Sequence, residues 1–144
     1  LLLLTLFEVM EQATAMPQLP IHPVHLGLGA TATAEPPFTG MEWYADYSAR
    51  HAADGAEGRL VSQYSFSESW PMWEVHPHGA EVVICTTGSI TLIQQFPDGH
   101  EEQAILSPGD YAINPPGVWH TADVSGGCTC IFITAGEGTD HRPR

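Results

Sequence analysis

The chain contains no lysine. Its only cations are Arg50, Arg59, Arg142 and Arg144, against 17 acidic residues, giving a formal charge of −13 over 144 residues. Without lysine there is no Walker-type phosphate loop, no Schiff-base chemistry and no Ser-x-x-Lys nucleophile. So few cations leave no footprint for a nucleic-acid backbone or an anionic membrane, and neither is expected as a partner. The acid excess reads first as solubility. No G-x-S-x-G occurs, and the two G-x-G sites, at Gly27 and Gly136, do not continue into a dinucleotide fingerprint. Cysteine is limited to Cys85, Cys128 and Cys130, with no Cys-x-x-Cys. Positions 128 and 130 are poorly spaced for a disulfide on a strand, so three reduced core thiols and a cytoplasmic location are expected. The apolar run at residues 1–7 is far too short to span a bilayer. It is followed by Glu8 and Glu11 and preceded by no basic residue, so residues 1–16 read as a short helical arm and not as a signal peptide.

What is present is turn chemistry and short alternating runs. The chain has 14 glycines and 12 prolines, and 43% of it is hydrophobic, enough for one core built of many short elements. Five prolines between residues 17 and 40 describe an extended arm outside the core. Residues 41–50 read as a short helix. Beyond them, strands are expected near 60–66, 72–76, 81–86, 89–96, 101–106, 111–113, 119–124 and 128–134, with Pro97-Asp98-Gly99 as a hairpin turn. Many short strands at regular spacing predict an all-β sandwich or barrel. The expected division is a helix and extended arm over 1–40 and the barrel over 41–144.

The run WEVHPHGAE carries Glu74, His76, His78 and Glu81, and His120 follows the turn NPPGVW. Side chains at 74, 76 and 78 share one face of a strand. Imidazole and carboxylate together suit a divalent first-row metal.

Gly109, Pro115, Gly117 and His120 occupy every fixed position of G-x5-P-x-G-x2-H, which resembles the second motif of the cupin superfamily; the usual final Asn of that motif is Val124 here. Glu81 and Gly88 are similar to the second half of its first motif, H-x-H-x3–4-E-x6-G. The resemblance covers about residues 60–134 and implies a double-stranded β-helix, or jelly-roll barrel, with a metal inside it. Two registers fit the first half of that motif. In one, His76 and His78 form the H-x-H pair, only two residues before Glu81. In the other, Glu74 replaces the first His and His76 is the second. The latter keeps the family spacing and puts Pro77-His78-Gly79 in a turn. It implies Glu74, His76, Glu81 and His120 as ligands, with His78 the alternative. Glu74, if not a ligand, is a candidate general base.

Alternation suggests Val83, Cys85 and Ala122 as pocket wall, with Tyr111 and Ile113 sharing a face of their strand. Phe66, Trp70, Met72 and Trp73 read as core or subunit contact ahead of substrate contact. His22, His25, His51, His100 and His141 read as solvated. The resemblance implies a metal-dependent enzyme of the dioxygenase, isomerase or lyase type, with Fe, Mn, Ni, Co, Cu or Zn as cofactor. A small neutral or weakly acidic organic substrate is expected, since no arginine is assured in the pocket. The alternative is a non-catalytic cupin that binds a small ligand or a metal. Cupins commonly dimerise, so a homodimer using the arm is expected.

Overall fold

Two antiparallel sheets make up the molecule in a computed structural model that describes residues 16–144; the helix expected over residues 1–16 falls almost wholly outside them. In chain order the strands are β1 (Val24–Gly27), β2 (Thr31–Ala34), β3 (Arg59–Phe66), β4 (Met72–Val75), β5 (Glu81–Gly88), β6 (Ile90–Gln95), β7 (Glu101–Leu106), β8 (Tyr111–Asn114), β9 (Trp119–Asp123), β10 (Cys128–Thr134) and β11 (Asp140–Pro143). Among the described residues one α-helix, α1 (Trp43–Arg50), precedes β3. The six-stranded sheet runs β2-β1-β3-β10-β5-β8 and the five-stranded sheet β11-β4-β9-β6-β7. This is the expected all-β jelly roll, and β3 to β10 fall where alternation and turn residues place them.

Period-2 alternation decides what is inside. Along β5, Glu81, Val83 and Cys85 are buried while Val82 and Ile84 are half-exposed. Val83, Cys85, Leu92, Leu106, Ala122, Cys130 and Phe132 belong to one dry core between the sheets. Val83, Cys85 and Ala122 are therefore core floor and not pocket wall. All three cysteines are buried and free, and burial pushes the Cys128 and Cys130 thiols up, as expected of inert core residues. Tyr111 and Ile113 are 66% and 52% exposed, so the face they share is the outside of β8.

Turns are set by the residues foreseen. Gly99 N–H donates to Phe96 O in the β6–β7 hairpin. Gly88 ends β5 at φ +71, and a Cβ there would lie 2.1 Å from Gly127 O, so both conformation and space demand glycine.

The structure differs from the sequence reading in residues 17–40. Val24–Gly27 and Thr31–Ala34 form a hairpin that extends the six-stranded sheet through β1–β3 pairing. Prolines 20, 23, 36 and 37 flank this hairpin and do not interrupt it. Two four-residue strands are too short for alternation to announce them. The barrel thus begins before residue 41.

Candidate metal centre

Two polar rows face each other inside the sandwich. Across the six-stranded sheet, ladder pairing aligns His25, Leu60, Thr134, Glu81 and Asn114. Across the other it aligns His141, Glu74, His120 and Gln94. Residues opposite one another in a ladder share a face, so each row points inward. Gln94 Nε2 joins the rows by donating to Asn114 Oδ1 at 2.8 Å. His76 lies two residues past Glu74 on the same face. Gly117, at φ +74 in the Pro115-Pro116-Gly117 turn, donates its N–H to His76 O at 3.0 Å. This bond ties the turn that launches β9, and so His120, to the segment that carries His76.

Glu74, His76, Glu81 and His120 each bring a donor atom within 4.8 Å of the others. His76 Nε2 lies 3.0 Å from Glu81 Oε2, and His120 Nε2 lies 3.3 Å from Glu81 Oε1. Glu74 Oε2 is 3.9 Å from His76 Nε2 and 3.8 Å from His120 Nε2. Neither imidazole lines up on a carboxylate oxygen: both Nε2 atoms are buried with no hydrogen-bond partner. Donors about 2.1 Å from one ion and roughly at right angles are about 3 Å apart, which is the spacing around Glu81.

The other ring nitrogens are committed. His120 Nδ1 donates to Val118 O at 3.2 Å. His76 Nδ1 sits 2.8 Å from Thr139 Oγ1, whose own proton goes to Gly136 O at 2.8 Å. Thr139 therefore accepts, and His76 carries its proton on Nδ1. In its neutral form each ring would present its Nε2 lone pair to the cluster, the tautomer a metal requires. Glu81 is anchored by Asn114 Nδ2 at 3.1 Å on Oε1 and by the Thr134 hydroxyl at 2.7 Å on Oε2. The donor set fits a divalent first-row ion.

Electrostatics point the same way. Burial raises the Glu81 carboxyl, but His120 and His76 outweigh it and hold the group well below the usual carboxylate range. Burial works against protonated His120, yet Glu74 and Glu81 outweigh that and raise it to about 9. Two carboxylates at one buried point require positive charge. A proton on His120 supplies it in the metal-free protein, and a bound metal would take that proton's place.

The cluster opens into a cavity of about 1100 Å³. Its walls include Tyr44, Tyr64, Phe66, Trp70 and Phe132, and no Arg or Lys among the described residues. Tyr44 and Tyr64 share a hydrogen bond, and burial pushes both phenols up, so both stay protonated. One phenol donates to the other, leaving one O–H for an occupant. Trp70 Nε1 is sealed from solvent with no acceptor. Trp73 instead faces outward, under the Arg142 guanidinium.

Of the alternative ligands, His78 stands apart on its turn, half-exposed and 3.4 Å from Glu137 Oε1. Three histidines read as solvated and without a role have partners that matter, although His141 itself is 41% exposed. His25 is buried, with Nε2 2.6 Å from Asp54 Oδ2 and Nδ1 2.7 Å from Tyr47 OH. His51 stacks on it at 3.6 Å and bonds Glu35. His25, Glu35 and His51 are close enough to hold an ion. However, their rings are 16° from parallel, which aims the in-plane lone pairs side by side and not at one point. Arg50 already neutralises Glu35 at 3.0 Å. We read this group as a staple between the β1–β2 hairpin and α1. The third, His141, lies opposite Glu74 with Nε2 3.2 Å from Glu74 Oε1. No motif marked it; only the pairing of a terminal strand brings it in.

No family model and no curated protein sequence matches the chain. Solved structures do. Oxalate oxidase in complex with the substrate analogue glycolate superposes at TM-score 0.51 and 12% identity, covering 57% of this chain and 45% of that one. A cupin-2 domain protein of Shewanella frigidimarina gives 0.44 at 21% identity, covering 60% and 71%. Hydroquinone 1,2-dioxygenase of Sphingomonas sp. TTNP3 gives 0.47 at 14% identity, covering 53% and 59%. The chain thus spans under half the length of the oxalate oxidase it matches, and at such identities the likeness is one of fold. Strand order, motif positions and the likeness to oxalate oxidase together give the chain a cupin fold.

Proposed function

We propose that this is a metal-dependent cupin that acts on a small organic molecule inside its barrel, in chemistry of the dioxygenase, isomerase or lyase type. The observation that carries the reading is the pair of buried, unpartnered Nε2 atoms converging with two carboxylates. Bound there, a divalent first-row ion supplies a Lewis acid with positions left for substrate oxygen atoms. Glu81, buried and doubly hydrogen-bonded, is a fixed ligand. Glu74 is 26% exposed and faces the cavity, so it is the member able to take a proton from a substrate when it is not coordinated. Tyr44 or Tyr64 offers a donor to an uncharged acceptor, and the aromatic walls hold a ring-sized apolar body. A wall with acids and no cations favours neutral or weakly acidic molecules over phosphorylated ones.

Metal analysis after native purification tests the reading. We expect stoichiometric metal in the wild type and its loss in His120→Ala. Near-absence of metal, with none taken up on reconstitution, overturns it. Turnover with any of a panel of dicarbonyl, catechol and flavonoid-like compounds then separates an enzyme from a binding cupin.

A further inference from the structure

The last nine residues carry features that the cupin motifs do not account for. Thr139 accepts the Nδ1 proton of His76, its own hydroxyl proton being spent on Gly136 O. Two residues later His141 brings Nε2 to 3.2 Å from Glu74 Oε1, leaving Oε2 turned toward the two imidazoles. The segment that bears them is firmly fastened. β11 pairs with β4 over its whole length. Arg142 lies 5.3 Å from the Trp73 ring and 4.4 Å from the Trp119 ring, and bonds Gln95. Arg144 Nη2 lies 2.6 Å from Asp123 Oδ1. Two of the four cations in the whole chain are used here.

We infer that the C-terminal segment 136–144 supplies two positioning residues for the centre: Thr139, which fixes His76 in the Nδ1–H tautomer, and His141, which holds Glu74 with one oxygen toward the ligand cluster. The inference rests on the metal reading above. A ligand histidine is effective only if its far nitrogen keeps the proton, and the group that holds that proton orients the ring as well. Thr139 does both for His76. His141 steadies the one ligand that has solvent access and no other partner on Oε1.

The test uses Co²⁺ as probe and the full chain in wild-type, Thr139→Val, Thr139→Ser, His141→Ala and His141→Gln forms. Co²⁺ affinity is measured by chelator competition, coordination by the visible spectrum, and the His76 tautomer by imidazole ¹⁵N NMR on metal-free protein at alkaline pH. Valine keeps the shape of threonine without the acceptor; serine restores the acceptor. Glutamine restores an N–H at a similar reach to the histidine Nε2. We expect Thr139→Val and His141→Ala to weaken Co²⁺ binding by about 10–100-fold and to change its spectrum. Thr139→Val should also take His76 out of a single Nδ1–H tautomer, and the Ser and Gln variants should recover most of each loss. Wild-type affinity and tautomer in Thr139→Val, or equal losses in the conservative and non-conservative variants, overturn the inference, the latter by making the segment's role merely structural. Should wild-type protein take up no Co²⁺, the metal reading falls, and the metal-free tautomer measurement still decides whether Thr139 positions His76.

Discussion

Glu81 does more than any other side chain at the centre. It touches both imidazoles, and Asn114 and Thr134 hold its two oxygens. Removing it strips the buried imidazoles of their counter-charge. Glu81→Ala should abolish metal uptake and cost about 3–5 kcal/mol of stability, the usual range for breaking a buried charge pair from one side. Metal analysis and urea titration check both, and an unchanged midpoint would mean that the imidazoles are neutral and solvated. The same pair gives the metal-free protein a characteristic pH profile. His120, raised from the usual 6.5 to about 9, contributes stability that is complete below about pH 6.5 and lost as pH rises through about 9. Glu81 is lowered, so its contribution is present above the ordinary 4.5 and lost as pH falls through its folded value. Melting temperature in the presence of a chelator should therefore be highest between roughly pH 4.5 and 6.5 and decline toward pH 9. Saturating metal should remove the alkaline decline, because the ion takes the place of the proton. A flat alkaline limb in chelator would contradict the charge state assigned to His120.

At the scale of elements, β11 is the unusual piece: a short edge strand held by cation–π contacts and delivering a histidine inward. Arg142→Ala removes the contacts to Trp73 and Trp119 and should cost only about 0.5–2 kcal/mol globally. The local effect should be larger, with faster amide exchange over 140–143 than over β4 or β9; uniform exchange would show that pairing with β4 suffices. How much of this was legible in the sequence follows from strand length. Strands β3, β5, β6 and β10 have six to eight residues, long enough for alternation to show, and turn residues bound them. β1, β2 and β11 have four each and are largely exposed, and β1 and β11 are placed by pairing with β3 and β4, distant in sequence. The candidate ligands were legible because Glu74, His76 and Glu81 lie in one short segment and His120 sits in a glycine-proline turn motif whose backbone demands are local. His25, Thr139 and His141 were not, since each acquires its role from a strand pairing or a contact more than 20 residues away in the chain.

For the molecule as a whole, 17 acidic residues are set against four arginines, and at least three of these are committed locally: Arg50 to Glu35, Arg142 to the two tryptophans, Arg144 to Asp123. Most of the 17 carboxylates therefore have no cation beside them and repel one another through solvent. Unfolding moves these charges apart, so the repulsion weighs on the folded state. Added salt screens it, with a Debye length falling from about 30 Å at 0.01 M to about 8 Å at 0.15 M. The few exposed ion pairs are weakened by the same salt, but each is worth only about 0–1 kcal/mol. Repulsion among many charges should therefore outweigh the loss of these few attractions. Melting temperature, followed with an inert monovalent salt in the presence of chelator, is expected to rise steeply up to about 0.15 M and then to level off. A fall over that range would show that the arginine pairs, and not the excess of acids, dominate the electrostatics of this fold.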